Sequence, residues 1–145
     1  DAEPLLRLVY ATRVRVLGAR HELTLESLSN MAAWLHEQGK HARAEPLYQG
    51  VLEARDATLG PEHPATLQAA SDLGIVLAAQ GKYAEAEPLY RRALEGRKAA
   101  FGDDHPDALE SLSNLASLLM ERQNHSEAEA LFRRALQIRT EAHGE

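Results

Sequence analysis

Residues Pro61–Gly102, PEHPATLQAASDLGIVLAAQGKYAEAEPLYRRALEGRKAAFG, decide the fold of this 145-residue chain, because the same pattern stands before and after them at one fixed offset. Gly18, Gly60, Gly102 and Gly144 lie 42 residues apart, and the same step separates His21, His63 and His105, and Pro4, Pro46 and Pro88. Self-similarity at a period of roughly 20 to 50 residues is the signature of stacked supersecondary units. A motif that recurs in every unit is a structural motif before it is a site.

Each unit divides into two helices. In the quoted stretch Leu67, Ala70, Leu73, Gly74 and Leu77 share one face of a helix with a period near 3.6, here called helix A. Pro64 and Pro106 suit its first turn, where the missing N–H has no intrahelical partner, and Glu22 takes that place in the first unit. Gln80-Gly81-Lys82 ends the pattern with a glycine suited to the left-handed conformation. Tyr83, Ala86, Leu89, Tyr90, Ala93 and Leu94 then form the stripe of helix B, with Pro46 and Pro88 near the start of their helices. In the third unit Ala130 replaces proline and the turn reads Gln123-Asn124, with Asn124 expected to supply the left-handed residue if the turn shifts by one.

The boundaries follow from the period. Residues 1–18 align with the second half of a unit, and residues 19–60, 61–102 and 103–145 are three repeats of one continuous array. The opening helix, expected over 1–17, carries Leu5, Leu6, Val9, Val14 and Val16 and lacks its A partner, and a start at Asp1 without methionine suggests a fragment or processed product. Small residues stand at matching registers, Ala32, Gly74 and Ala116 on helix A and Ala44, Ala86 and Ala128 on helix B. Close approach of paired helices needs them. Tyr48, Tyr90 and Phe132, with Leu35, Leu77 and Leu119, are expected to fill the space between.

This alternation resembles the tetratricopeptide repeat. The 42-residue step with HPATL, QGKYAEAEPLYRRAL and the Gly-Pro-Glu-His-Pro junction is similar to the repeats of kinesin light chains and related signalling arrays. The resemblance implies an all-α fold, a right-handed α-solenoid of antiparallel helix pairs, whose concave face is lined by A helices and holds extended peptide segments of partner proteins. In the family, Asn residues on helix A reach the peptide backbone and basic A-helix residues select acidic peptides.

At the matching register this chain has Asn30, Asp72 and Asn114. Other positions expected to face the groove are Glu26, Ser29, Ala33 and His36 in the first unit, Gln68, Ser71 and Ile75 in the second, and Glu110, Ser113, Ser117 and Met120 in the third. None is Lys or Arg, so the family's carboxylate clamp has no cations to build it. The A helices are rich in Glu and Asp, whereas Arg91, Arg92, Arg97, Arg133, Arg134 and Arg139 stand on B helices. A mildly acidic groove that takes a neutral or basic segment is the expectation.

Composition closes several other routes. A net charge of −6 without a basic stripe argues against nucleic acid, and the absence of cysteine excludes disulfides and thiol chemistry. No apolar run approaches the roughly 20 residues of a membrane span, and no leader pattern opens the chain. His21, His63 and His105 recur once per repeat, too far apart to share an ion, so a junction role with Glu62 or Asp104 capping the next helix is expected. His36-Glu37 and His41 depart from the zinc-protease motif, since the histidines are five apart across a turn. Asp103-Asp104 lacks the rest of a calcium loop. Ser29, Ser71 and Ser113 follow the repeat, and the arginine pairs read as a solvated face with Glu87 and Glu129 four residues ahead of Arg91 and Arg133. Trp34 is placed either between units or as an exposed anchor.

The function expected is a non-catalytic, cytoplasmic adaptor or scaffold that binds a protein or peptide partner without cofactor or metal. Two alternatives stand beside it: self-association through unpaired terminal helices, and a regulatory array of a larger signalling ATPase or motor-associated protein.

Overall fold

The computed structural model describes residues 2–144, and Asp1 lies outside them. Seven helices follow one another: α1 (Glu3–Leu17), α2 (Glu22–Glu37), α3 (His41–Thr58), α4 (Pro64–Ala79), α5 (Tyr83–Phe101), α6 (Pro106–Glu121) and α7 (His125–His143). Each packs chiefly on the helix before it and the helix after it, which makes the array one-dimensional. Helices α2, α4 and α6 are A helices, and α1, α3, α5 and α7 are B helices.

Helix starts are set by the recurring histidines themselves. The Nδ1 of His21, His63 and His105 accepts a hydrogen bond from the backbone N–H of Leu23, Ala65 and Asp107 at 3.1, 3.0 and 3.1 Å. Glu62 and Asp104, the expected caps, are not the N-cap residues; an imidazole at an extended N-cap position does their work. The turns between A and B carry a positive φ at Gly39 (76°), Gly81 (78°) and Gln123 (62°). The third turn therefore keeps its register and forces a glutamine into the left-handed region, while Asn124 has φ −86° and precedes α7.

The small positions behave as the packing argument requires, with Ala32, Ala44, Ala86, Ala116 and Ala128 all fully buried. Tyr48 and Tyr90 fill the space between hairpins, but Phe132, at the same register of α7, is 42% exposed because α7 is the last described helix and nothing covers its outer side. At the other end α1 buries no residue. Leu6 and Tyr10 pack on the core, whereas Leu5, Val9 and Val16 from the expected stripe point outward.

A repeating arginine ties the hairpins together. Arg13, Arg55 and Arg97 each stand five residues before a junction glycine. Each guanidinium crosses to the next A helix and donates to the carbonyl ten residues on, that of Leu23 (2.8 Å), Ala65 (3.2 Å) or Asp107 (3.4 Å). Arg13 and Arg97 also reach the hydroxyls of Ser27 and Ser111 at 2.7 and 2.8 Å, and Arg55 pairs with Glu22 at 2.8 Å. Arg97 is only 3% exposed. The expectation that it belongs to a B-helix face of opposite potential is corrected: satisfied hydrogen bonds hold this charge inside the stack. The arginine pairs are tied across hairpins as well, Arg91 to Glu127 at 2.8 Å and Arg134 to Asp103 at 3.2 Å, with Arg92 bonded to Asp56.

Candidate peptide groove

Helices α2, α4 and α6 present their uncovered sides in succession, and a cavity of about 460 Å³ runs across all three. His36 of α2, Ile75 of α4, and Asn114 and Ser117 of α6 line it, with Glu121 and Tyr90 also on its wall. Glu110, Ser113 and Asn114 share a second cavity of about 640 Å³ with Arg139 of α7. Asn114 therefore stands where the two meet. Met120 is set apart, in a third hollow with Phe132 and Leu136. Its position near the end of α6 turns it towards the uncovered side of α7 and away from the other expected groove residues.

Glu26 and Asn30 are exposed, and Ala33 is half-buried beside them on α2. Ser29 Oγ and Asn114 Nδ2 are buried without a hydrogen-bond partner among the described residues. Ser71 was expected beside them and is not presented to solvent: its side chain is fully buried, and its hydroxyl is likewise unpartnered. Ser29 and Ser113, at the same register of α2 and α6, are half-buried.

The centre of the face is a hydrogen-bonded chain. Asp72 Oδ1 accepts from Gln68 Nε2 at 2.9 Å, and Gln68 Oε1 accepts from Arg97 Nη2 at 2.6 Å. Burial raises the Asp72 pKa above the ordinary carboxylate value, opposed by the Gln68 hydrogen bond and by the charges of Arg55 and Arg97, and Glu110 adds to the rise. The acidity of the face is thus set partly from beneath, by buried arginines of the B helices. That link was missed in the sequence, although the periodic arginine before each junction glycine was its signal. Burial also pushes the Tyr90 hydroxyl up to about 12, so it remains a proton donor at neutral pH.

Helix pairs repeated at this spacing and a groove along the A helices lead to one family. The profile described as Tetratricopeptide repeat matches residues 1–57, 25–99 and 72–141. The chain belongs to the tetratricopeptide repeat family. No curated protein sequence matches it. Among solved structures it is similar to BtubC (BKLC) from P. vanneervenii, with a TM-score of 0.91 at 20% identity over 99% of this chain and 57% of that one. It thus spans little more than half the length of BtubC. A Podosopora anserina protein assigned to the kinesin light chains, with nearly identical TPR-like repeats, superposes with a TM-score of 0.61 at 20% identity, covering 99% of this chain and 88% of that one. A substituted form of the same protein gives the same values. The expected fold class, an all-α, right-handed solenoid of antiparallel helix pairs of the tetratricopeptide type, stands on the profile match and these likenesses. Among the described residues no helix is long and apolar enough to cross a membrane.

Proposed function

We propose that this tetratricopeptide array is a non-catalytic, cytoplasmic interaction module that holds an extended, neutral to basic peptide segment along α2, α4 and α6. The observation that carries the reading is the buried Nδ2 of Asn114, left without a partner among the described residues where the two candidate groove cavities meet. A donor desolvated and unpaired costs about 1–3 kcal/mol, and a carbonyl of a bound backbone recovers it. Asp72, Glu110 and Glu121 add carboxylates along the same face, while Ile75 and Tyr90 offer apolar surface for a side chain. Pools of labelled acidic, neutral and basic extended peptides, titrated by fluorescence anisotropy, test it. Neutral or basic pools are expected to bind best and to weaken on Asn30→Ala with Asn114→Ala. Strongest binding by the acidic pool, unaffected by that double substitution, would refute it.

A second reading, self-association, is favoured by the apolar side chains left open at the two ends. Leu5, Leu8 and Val16 on α1 are 65, 62 and 68% exposed, and Leu136 on α7 is 65% exposed. Helices α1 and α7 are both B helices, however, and every extensive helix–helix packing in the array joins an A helix to a B helix. A direct junction between copies would therefore pair two B helices outside the register of the repeat. Light scattering over a concentration series decides the matter, because a strict monomer removes this reading.

A further inference from the structure

The three turns that join helix A to helix B are built alike, with a positive φ at Gly39, Gly81 and Gln123. Only the first carries a histidine on each side. His36 lies in the last turn of α2 and His41 opens α3, while the matching pairs are Ala78 with Tyr83 and Met120 with His125. A feature that the same hairpin does without twice is not explained by the fold.

The two rings meet across the turn, Nδ1 to Nδ1 at 2.9 Å, with centroids 4.7 Å apart and planes tilted by 54°. Five residues and a turn, taken from the sequence as a separation, in fact bring the nitrogens into contact, because the antiparallel return of α3 faces the end of α2. Two ring nitrogens bound at about 2.0–2.1 Å to one ion lie about 2.9 Å apart at a right angle, and about 3.4 Å apart at a tetrahedral one. The observed spacing matches the right angle of square-planar and octahedral sites, the geometry of divalent copper and nickel with imidazole ligands. Both side chains are half-buried, so one side of the pair remains open.

We propose that His36 and His41 form a two-histidine chelate, through both Nδ1 atoms, for a divalent transition-metal ion of the copper or nickel class. Glu37 and Asp72 supply negative charge near His36, which favours a cation there. In the metal-free pair one ring donates its Nδ1 proton to the other. That ring takes the ion by moving the proton to Nε2, so a neutral pair releases no net proton. Among the described residues no group of three His, Asp or Glu forms a cage, so the remaining coordination positions are left to water or to a partner's ligand atom. His36 also lines the groove cavity, which sets the ion at the edge of the peptide path.

Trp34, the only tryptophan, lies two residues before His36 and reports on the site. The intact chain is titrated at neutral pH with nickel chloride, and in a second series with copper sulfate, while Trp34 emission is followed. A saturable one-to-one quench is expected, with its midpoint raised at least about tenfold by His36→Gln and by His41→Gln, and unmoved by His125→Gln. Equal midpoints in the unsubstituted chain and both variants, or no saturable quench, overturn the chelate and leave a hydrogen-bonded pair. Circular dichroism checks the helix content of each variant. Broadening of imidazole NMR signals by substoichiometric nickel is read on the unsubstituted chain, so it does not depend on a variant folding. It is expected first at His36 and His41, and broadening that begins at other histidines also overturns the proposal.

Discussion

The Tyr90 ring lies so close to Gly74 that a Cβ on the glycine would stand 2.8 Å from Tyr90 Cε1 and 2.9 Å from Cδ1. The register that takes alanine at 32 and 116 is therefore not simply a small-residue position. In the middle unit the aromatic ring of α5 has moved into the space a methyl group would occupy, and it is 5% exposed there.

Gly74→Ala sets two effects against each other. Helix propensity favours alanine by about 1 kcal/mol, while forcing the buried ring aside costs about 1–3 kcal/mol. A net destabilisation of about 1 kcal/mol is expected in urea unfolding followed by circular dichroism. A gain in stability would mean that the ring yields without cost.

Gln123 holds a left-handed conformation where the two other turns have glycine. An L side chain there costs about 1–2 kcal/mol, part of which glycine returns as unfolded-state entropy. Gln123→Gly is expected to stabilise the array by about 0.5–1 kcal/mol, and the same unfolding measurement decides the sign.

Arg97 and Arg139 occupy one register of successive B helices, yet Arg97 is buried on hydrogen bonds to Ser111 and Gln68 and Arg139 is exposed. Arg97→Ala strips the buried Ser111 hydroxyl and the exposed Gln68 carbonyl of their donor and should cost about 2 kcal/mol. Arg139→Ala should change stability by no more than about 0.5 kcal/mol. Equal losses at the two sites would contradict the arginine rung.

His63→Ala removes the acceptor that caps α4 and should cost about 1 kcal/mol, whereas His63→Asn retains a cap and should cost less. Amide exchange at Ala65, whose N–H the imidazole receives, gives a local readout of the same loss.

Burial raises the pKa of Asp72 above its unfolded value, so the folded state holds its proton more tightly than the unfolded chain does. For such an acid the stability present below the unfolded pKa is lost as pH rises through the folded one. Asp72→Asn, which keeps an oxygen for Gln68, should therefore stabilise the protein at neutral pH. The advantage should vanish in acid, below the ordinary value of 3.8, and an advantage independent of pH would exclude the carboxylate as its source.

Helix existence, the A and B alternation and the core alanines were legible because each rests on local periodicity repeated at a fixed step. The groove was legible less evenly. His36, Ile75, Asn114 and Ser117 do share one cavity, but Ser71 is buried, and Met120 turns to the open side of α7, the last described helix. Both depend on what covers a helix face, which changes from unit to unit while the register stays the same.

By itself, then, the sequence determined the period, the helix pairs, the small positions where they approach and the family, since these follow from spacing along one chain. Tertiary structure decided that His63 caps a helix, that Gln123 bears the turn, that Arg97 lies inside and that His36 meets His41. Each of these is a distance between side chains on two elements or across a turn, and such distances are set by how helices pack, a quantity that periodicity does not contain.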